Sequence, residues 1–233
     1  MISMNSMSEY KILSYPINDT TPLYVGTPEP SITPQSLIKN GNISNSYIIS
    51  LHNHTGTHID APNHFIENGK NISQYKMDEL IFKNPVIIDC PKGCAALIKP
   101  DDLKHASQKL LRGDCLLLRT GFGRFRGEEK YRTHNPGISP ETIVWIRKNY
   151  PGIRCIGIDS ISISCFQHRN EGRKAHKAAF FEENGLGEPL LLIEDMKLDL
   201  NLSEERLEIV MVLPWQIEGL DSVPCSIVAK LLN

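Results

Sequence analysis

Four of the chain's eight histidines fall within thirteen residues, in the run Leu51-His-Asn-His-Thr-Gly-Thr-His-Ile-Asp-Ala-Pro-Asn-His64. An even scatter would place fewer than one there. Within the run, His54, His58 and Asp60 form an H-x3-H-x-D pattern, and His64 follows four residues later. Imidazole nitrogens with a carboxylate are the usual ligands of a catalytic Zn²⁺, and three of them leave a position for water. The same donors suit Mn²⁺ or Fe²⁺. An ion so held lowers the pKa of bound water to about 7 and polarises a carbonyl, so the pattern points to hydrolysis. Imidazole is also the side chain best matched to proton transfer at neutral pH.

These side chains need particular backbone to meet. The preceding Ser46-Tyr-Ile-Ile-Ser-Leu-His52 is rich in strand formers and runs into a segment broken by Gly, Thr and Pro. Extended backbone over 58–60 would send His58 and Asp60 to the same face, because strand side chains alternate. Gly56 permits a turn with positive φ that brings His54 to join them. Pro62 then fixes the exit and aims His64 at the same pocket. A scatter of surface or core histidines is the bland alternative, and the spacing disfavours it.

The run His54-Thr-Gly-Thr-His-Ile-Asp-Ala-Pro-Asn-His64-Phe65 resembles the signature of the metal-dependent cyclase family. That family includes bacterial kynurenine formamidases, isatin hydrolases and relatives named as polyketide cyclases. Pro22-Leu-Tyr24-Val-Gly26 resembles an early family loop, with Val25 where proline is usual. Arg112-Gly-Asp-Cys-Leu-Leu-Leu-Arg-Thr-Gly121, Asn135-Pro-Gly-Ile-Ser-Pro140 and Ile156-Gly-Ile-Asp-Ser160 follow in the family's order. The resemblance implies a swivelling β/β/α-type α/β domain over residues 1–233, with a mixed, mostly covered sheet. It implies His54, His58 and Asp60 as ligands of a first metal, with Asp60 bridging to a second, and His64 as the proton-transfer residue. His176 and Glu194 match the downstream helix histidine and strand glutamate that complete the site, across a connection longer than in the compact formamidases. The alternatives are a solvated helix residue for His176 and a strand-end charge for Glu194. The implied ion is Zn²⁺ first and Mn²⁺ second, in one or two copies. The implied assembly is a homodimer or homotetramer acting on a small-molecule amide.

The whole chain agrees with an enzyme of this kind. At 233 residues it can bury a sizeable core, and a net charge of −2 gives no basic field for nucleic acid or an anionic membrane. No apolar run approaches the length of a membrane span. The start, Met1-Ile-Ser-Met-Asn-Ser-Met-Ser-Glu, lacks the order of a secretory signal, so the cytoplasm is expected. The six cysteines are scattered without zinc-finger spacing and read as reduced and structural. Strand-like runs are 47–52, 85–90, 114–120, 153–159, 189–194 and 207–214. Helices are expected over 99–112, over 139–149 with Ser139 as N-cap before Pro140, and over 174–183 with a stop at Asn184-Gly185. Strands alternating with helices favour a mostly parallel, covered sheet.

Two weaker signals remain. The loop Gly121-Phe-Gly-Arg-Phe-Arg-Gly127 lacks nucleotide-binding spacing, and Arg124 or Arg126 in it either meets a substrate carboxylate or faces solvent. Asp159-Ser160 ends an apolar strand, as a functional group or as a cap. The expected function is metal-dependent hydrolysis of a C–N bond in a small amide, with arylformamidase action on N-formylkynurenine as the first substrate. The rivals are an isatin-like lactam hydrolase or a cyclase/dehydratase on the same site, and a non-catalytic binding protein stabilised by a fully ligated metal.

Overall fold

The computed structural model describes residues 9–198 and 206–232, so the N-terminal run read for a secretory signal lies largely outside them. Its strands are β1 (Glu9–Ile12), β2 (Ser31–Ser36), β3 (Ser46–Ser50), β4 (His58–Asp60), β5 (Ile81–Phe82), β6 (Pro85–Asp89) and β7 (Leu97–Ile98). They continue as β8 (Cys115–Arg119), β9 (Gly137–Ile138), β10 (Cys155–Ile158), β11 (Leu191–Glu194), β12 (Arg206–Pro214) and β13 (Ser222–Leu232). The α-helices are α1 (Pro100–Leu103), α2 (Ser107–Leu110), α3 (Glu129–Thr133), α4 (Pro140–Asn149) and α5 (Arg169–Phe180). Nine strands form one sheet in the order β5-β12-β13-β4-β11-β10-β8-β6, with β1 also paired to β13.

This α/β sheet is mixed. Strands β6, β8, β10 and β11 are mutually parallel, whereas β4, β12 and β13 pair antiparallel. The expected parallel character therefore holds for four of its nine strands. Alternation along the parallel strands separates two cores. Cys115, Leu117, Cys155, Leu191 and Ile193 face one core, together with Ile59, Val210, Val212 and Ile227. Leu116, Leu118, Ile156, Ile158 and Leu192 face the other, beneath Ile143 and Ile146 of α4 and Ala175 and Ala179 of α5. Burial on both faces explains why these strands read as unbroken apolar runs.

Ser139 caps α4 as expected, its side chain accepting from the Thr142 amide, with Pro140 in the first turn. Two other helices differ from expectation. The stretch 99–112 divides into α1, a 3₁₀ turn (Lys104–Ala106) and α2. The helix expected over 174–183 begins earlier, at Arg169, and ends at Phe180, because Phe181 is extended at ψ 135°. Asn184-Gly185 closes the following turn instead, with Gly185 at φ +86°. The Arg147 guanidinium ties this turn to α4 by donating to the carbonyls of Ala178, Phe181 and Gly187. Strand β13 is an addition to the expected set, and β3 belongs to a hairpin with β2 apart from the main sheet.

None of the six cysteines is in a disulfide; five are buried and Cys94 is exposed. No helix among the described residues is long and apolar enough to cross a membrane.

Candidate metal centre and active site

The three-residue strand β4 lies at the middle of the sheet, between β11 and β13. Ile59 points into the first core, so His58 and Asp60 must point to the opposite face. Register places His58 beside Glu194 and Asp60 beside Ser222. Glu194 shares the side of Leu192, beneath α5, and His176 descends from that helix. Gly56, at φ +67°, turns the chain back so that His54 faces Asp60.

The distances are those of one cluster. His54 Nδ1 lies 3.1 Å from Asp60 Oδ1, and His58 Nε2 lies 3.5 Å from the same oxygen. His58 Nε2 is also 3.5 Å from Glu194 Oε2, and His176 Nε2 is 3.4 Å from Glu194 Oε1 and 4.0 Å from Asp60 Oδ2. His58, Asp60, His176 and Glu194 are all buried. The solvated-helix and strand-end readings of His176 and Glu194 therefore fail.

The inner imidazoles are oriented from behind. His58 Nδ1 donates to the Gly56 carbonyl at 2.8 Å, and His176 Nδ1 donates to the Gly172 carbonyl at 3.0 Å. Each bond leaves an Nε2 lone pair aimed inward, the arrangement found behind metal-ligating histidines. Gly172 is required here, since a Cβ would fall 2.3 Å from Ser164 Oγ, which also contacts His176 Nδ1. Glu194 Oε1 accepts from Ser162 Oγ and the Ile163 amide, both at 2.8 Å. Phe65 stacks on the His176 ring at 4.9 Å and meets the His64 ring edge-on at 4.8 Å.

His58 Nε2 and both Asp60 carboxylate oxygens are buried without a hydrogen-bond partner. Buried polar atoms are rarely left unpaired, and three orphans converging at one point fit a cation. Candidate donor sets are His54/His58/Asp60, His54/His64/Asp221 and Asp60/His64/His176. Without an ion, the charges compensate one another. Burial opposes ionisation of Glu194, but the His176 and His58 imidazoles beside it outweigh it and take the carboxyl down to about 2. Burial likewise pulls His54 down, but the Asp60 and Asp221 carboxylates beside it push it up to about 10.

One residue of the cluster was not anticipated. Asp221, immediately before β13, accepts from His64 Nδ1 at 2.6 Å and from Asn53 Nδ2 at 2.8 Å, and lies 3.3 Å from His54 Nε2. Its backbone carbonyl accepts from the Ala61 amide, which locks it beside the end of β4. Burial resists its ionisation, yet the two imidazoles hold its carboxyl well below the usual carboxylate range.

Residues 12–164 match the Cyclase family across 153 of 233 positions. The chain belongs to that family. A kynurenine formamidase of Erythrobacter litoralis is 25% identical over 232 residues, spanning 100% of this chain and 98% of that protein. Isatin hydrolase A from Labrenzia aggregata has the same fold, with a TM-score of 0.80 at 20% identity over 97% of this chain and 94% of its own. A structure described as a potential metal-dependent hydrolase with cyclase activity has a TM-score of 0.72 at 22% identity, over 97% and 99% of the two chains. The relatives are thus hydrolases, and this chain carries a His/Asp cluster able to hold a metal.

The cluster opens into a cleft of about 300 Å³ lined in part by Tyr24, Phe65, Arg169 and Arg173. The two loop arginines are placed elsewhere. Arg126 donates to Asp195 at 2.6 and 2.9 Å and lies 4.0 Å over the Tyr15 ring, while Arg124 covers Phe125. Asp159 accepts from Thr120 and Gly121 and so caps the turn after β8.

Asp195 shapes the site from outside. At φ +52°, unusual for a residue with a side chain, it turns the backbone directly after Glu194. Its buried carboxylate is held by Arg126 and by Tyr131 Oη at 2.6 Å, and its carbonyl accepts from Thr57 Oγ1 at 2.6 Å. Arg126→Ala would leave that carboxylate short of its counter-charge. The expected cost is on the order of 3 kcal/mol, a fall in Tm of roughly 6–12 °C by calorimetry. An unchanged Tm would show that Tyr131 alone satisfies Asp195.

Proposed function

We propose that the chain is a metal-dependent hydrolase cleaving the C–N bond of a small amide, with N-formylkynurenine as its first substrate. The observation that carries this reading is the convergence of orphaned His58 and Asp60 atoms beside a His64–Asp221 pair. His54, His58 and Asp60 would hold a first ion, and Asp60, His176 and Glu194 a second. Asp60 faces both histidine groups, which supports its bridging role. The donors suit Zn²⁺ first and Mn²⁺ second. When bound, a divalent cation supplies Lewis acidity, lowering the pKa of water toward neutrality and polarising a carbonyl.

The chain's own groups supply the rest. Asp221 accepts the Nδ1 proton of His64, which leaves Nε2 free to take a proton from the attacking water. The same nitrogen returns it to the departing amine. Ser162 and the Ile163 amide fix the rotamer of Glu194, and Tyr24 and Phe65 offer apolar surface to an aryl ring. A fully ligated structural site would need no such oriented base, which counts against the non-catalytic reading.

The deciding assay is hydrolysis of N-formylkynurenine by chelator-stripped protein reloaded separately with Zn²⁺ and with Mn²⁺. Metal-restored turnover supports the formamidase and names its ion. Metal uptake without turnover would move the substrate to an isatin-like lactam or a cyclisation/dehydration.

Cytoplasmic residence and a homodimer or homotetramer belong to the same proposal. Six free thiols fit a reducing compartment. The β2–β3 hairpin exposes Ile32, Tyr47, Ile48 and Ile49, and Ile32 lies directly opposite Ile49. Apolar surface gathered on one free-standing element suits burial against a second copy. Light scattering is expected to give a multiple of 26.2 kDa, and the Ile32→Glu/Ile49→Glu variant the monomer mass. A monomeric parent protein would remove this part of the proposal.

A further inference from the structure

The cleft has a cationic end that the hydrolytic cluster does not use. Arg169, Arg173 and His176 stand at positions i, i+4 and i+7 of α5, and all three line the cleft. At 1.5 Å rise per residue, Arg173 and Arg169 sit roughly 4.5 and 10.5 Å along the helix axis from His176. Neither arginine forms an ion pair among the described residues. Glu171, the one acidic residue of α5, is taken by Lys174 at 2.8 Å.

The wall beside them is ordered by stacking. The Arg169 guanidinium lies 4.0 Å over the Phe166 ring, which meets Tyr24 edge-on at 5.8 Å. Stacking occupies the face of a guanidinium and leaves its in-plane N–H groups for an anion. The Tyr24 phenol is raised chiefly by burial. Arg169 and Arg173 act to lower it and Glu194 to raise it, and Tyr24 lines the same cleft as all three. The loop arginines cannot serve this end, because Asp195 and Phe125 hold them.

We propose that Arg169 and Arg173 bind a substrate carboxylate, so that the cleft selects aryl amides whose anionic group lies several ångströms from the scissile bond. The fork of N–H donors on each guanidinium matches a carboxylate in two-point contact. The inference rests on the hydrolase reading for its reaction, and on the cleft alone for its binding.

The test uses a matched pair of aryl formamides, N-formylkynurenine and N-formylkynuramine, which differ by the carboxylate. Wild-type enzyme is expected to prefer the carboxylate by about tenfold or more in kcat/KM, chiefly through KM. In Arg169→Gln/Arg173→Gln the preference is expected to collapse to about twofold. Both positions are exposed, and glutamine is a comparable helix former, so the fold is kept.

Calorimetry of the deformylated pair, kynurenine and kynuramine, on metal-loaded protein reads the same subsite without turnover. Tighter binding of kynurenine that depends on the two arginines, with neither formamide hydrolysed, would uphold the subsite and sink the formamidase reading. A carboxylate preference that survives in the double variant would assign the anion to the metal and overturn the proposal. So would the absence of any preference in the wild type.

Discussion

Asp60→Asn is expected to abolish tight uptake of a divalent ion and to lower amide hydrolysis by roughly 10³-fold or more, while the protein stays folded. Asp60 is fully buried, yet neither carboxylate oxygen has a hydrogen-bond partner. Three imidazoles approach it, with nitrogens at 3.1, 3.5 and 4.0 Å. Such a carboxylate is tolerable only opposite positive charge, supplied by protonated histidines or by a cation that displaces their protons. Asparagine removes the charge and sets an NH₂ donor among nitrogens that need to be acceptors toward a metal. Metal content per chain by elemental analysis, circular dichroism and turnover together read the outcome. His58→Ala, which removes the orphaned Nε2 but keeps the carboxylate, should lose hydrolysis in the same way. Retained metal and turnover in both variants would dismiss this cluster as the metal site.

The legible part of the site was the part encoded within a few residues. Gly56 turns with positive φ and 58–60 is extended, so local periodicity alone brought His54, His58 and Asp60 together. His176 and Glu194 came through resemblance, and both reach the cleft despite the long connection between them. The start of α5 was missed because Gly172 weakens the helical pattern of 169–173. That glycine is present because Ser164 packs where its side chain would be. With the first turn unread, Arg169 and Arg173 went unseen, and the loop arginines offered as an anion site or a solvated loop are engaged elsewhere, Arg126 with Asp195 and Arg124 over Phe125. Asp221 lies 157 residues from His64, before a strand whose Pro224 and Lys230 obscured its alternation. Only the register of β13 against β4, with Ser222 opposite Asp60, brings it to the site. No local pattern encodes that pairing.

Asp221→Asn is expected to lower kcat by roughly 10²–10⁴-fold, with a smaller change in KM and with the metal retained. The carboxylate accepts the Nδ1 proton of His64 at 2.6 Å, and Asn53 holds its other oxygen at 2.8 Å. An ionised acceptor there keeps the proton on Nδ1 and the lone pair on Nε2. It also stabilises the imidazolium formed when Nε2 takes a proton. An asparagine amide presents either a weaker acceptor or a donor. In the second case Nδ1 becomes the acceptor and Nε2 carries the hydrogen, which is the wrong tautomer for a base. Metal content separates this role from direct ligation, because Asp221 also lies 3.3 Å from His54. A variant that loses its metal along with its activity would make Asp221 a ligand rather than a positioning residue. Asn53→Ala provides the graded control. It frees one oxygen of Asp221 without removing the charge, so it should lower kcat by only about tenfold and leave metal content intact. The ordering wild type, Asn53→Ala, Asp221→Asn in kcat, at constant metal content, is the signature expected of an oriented base.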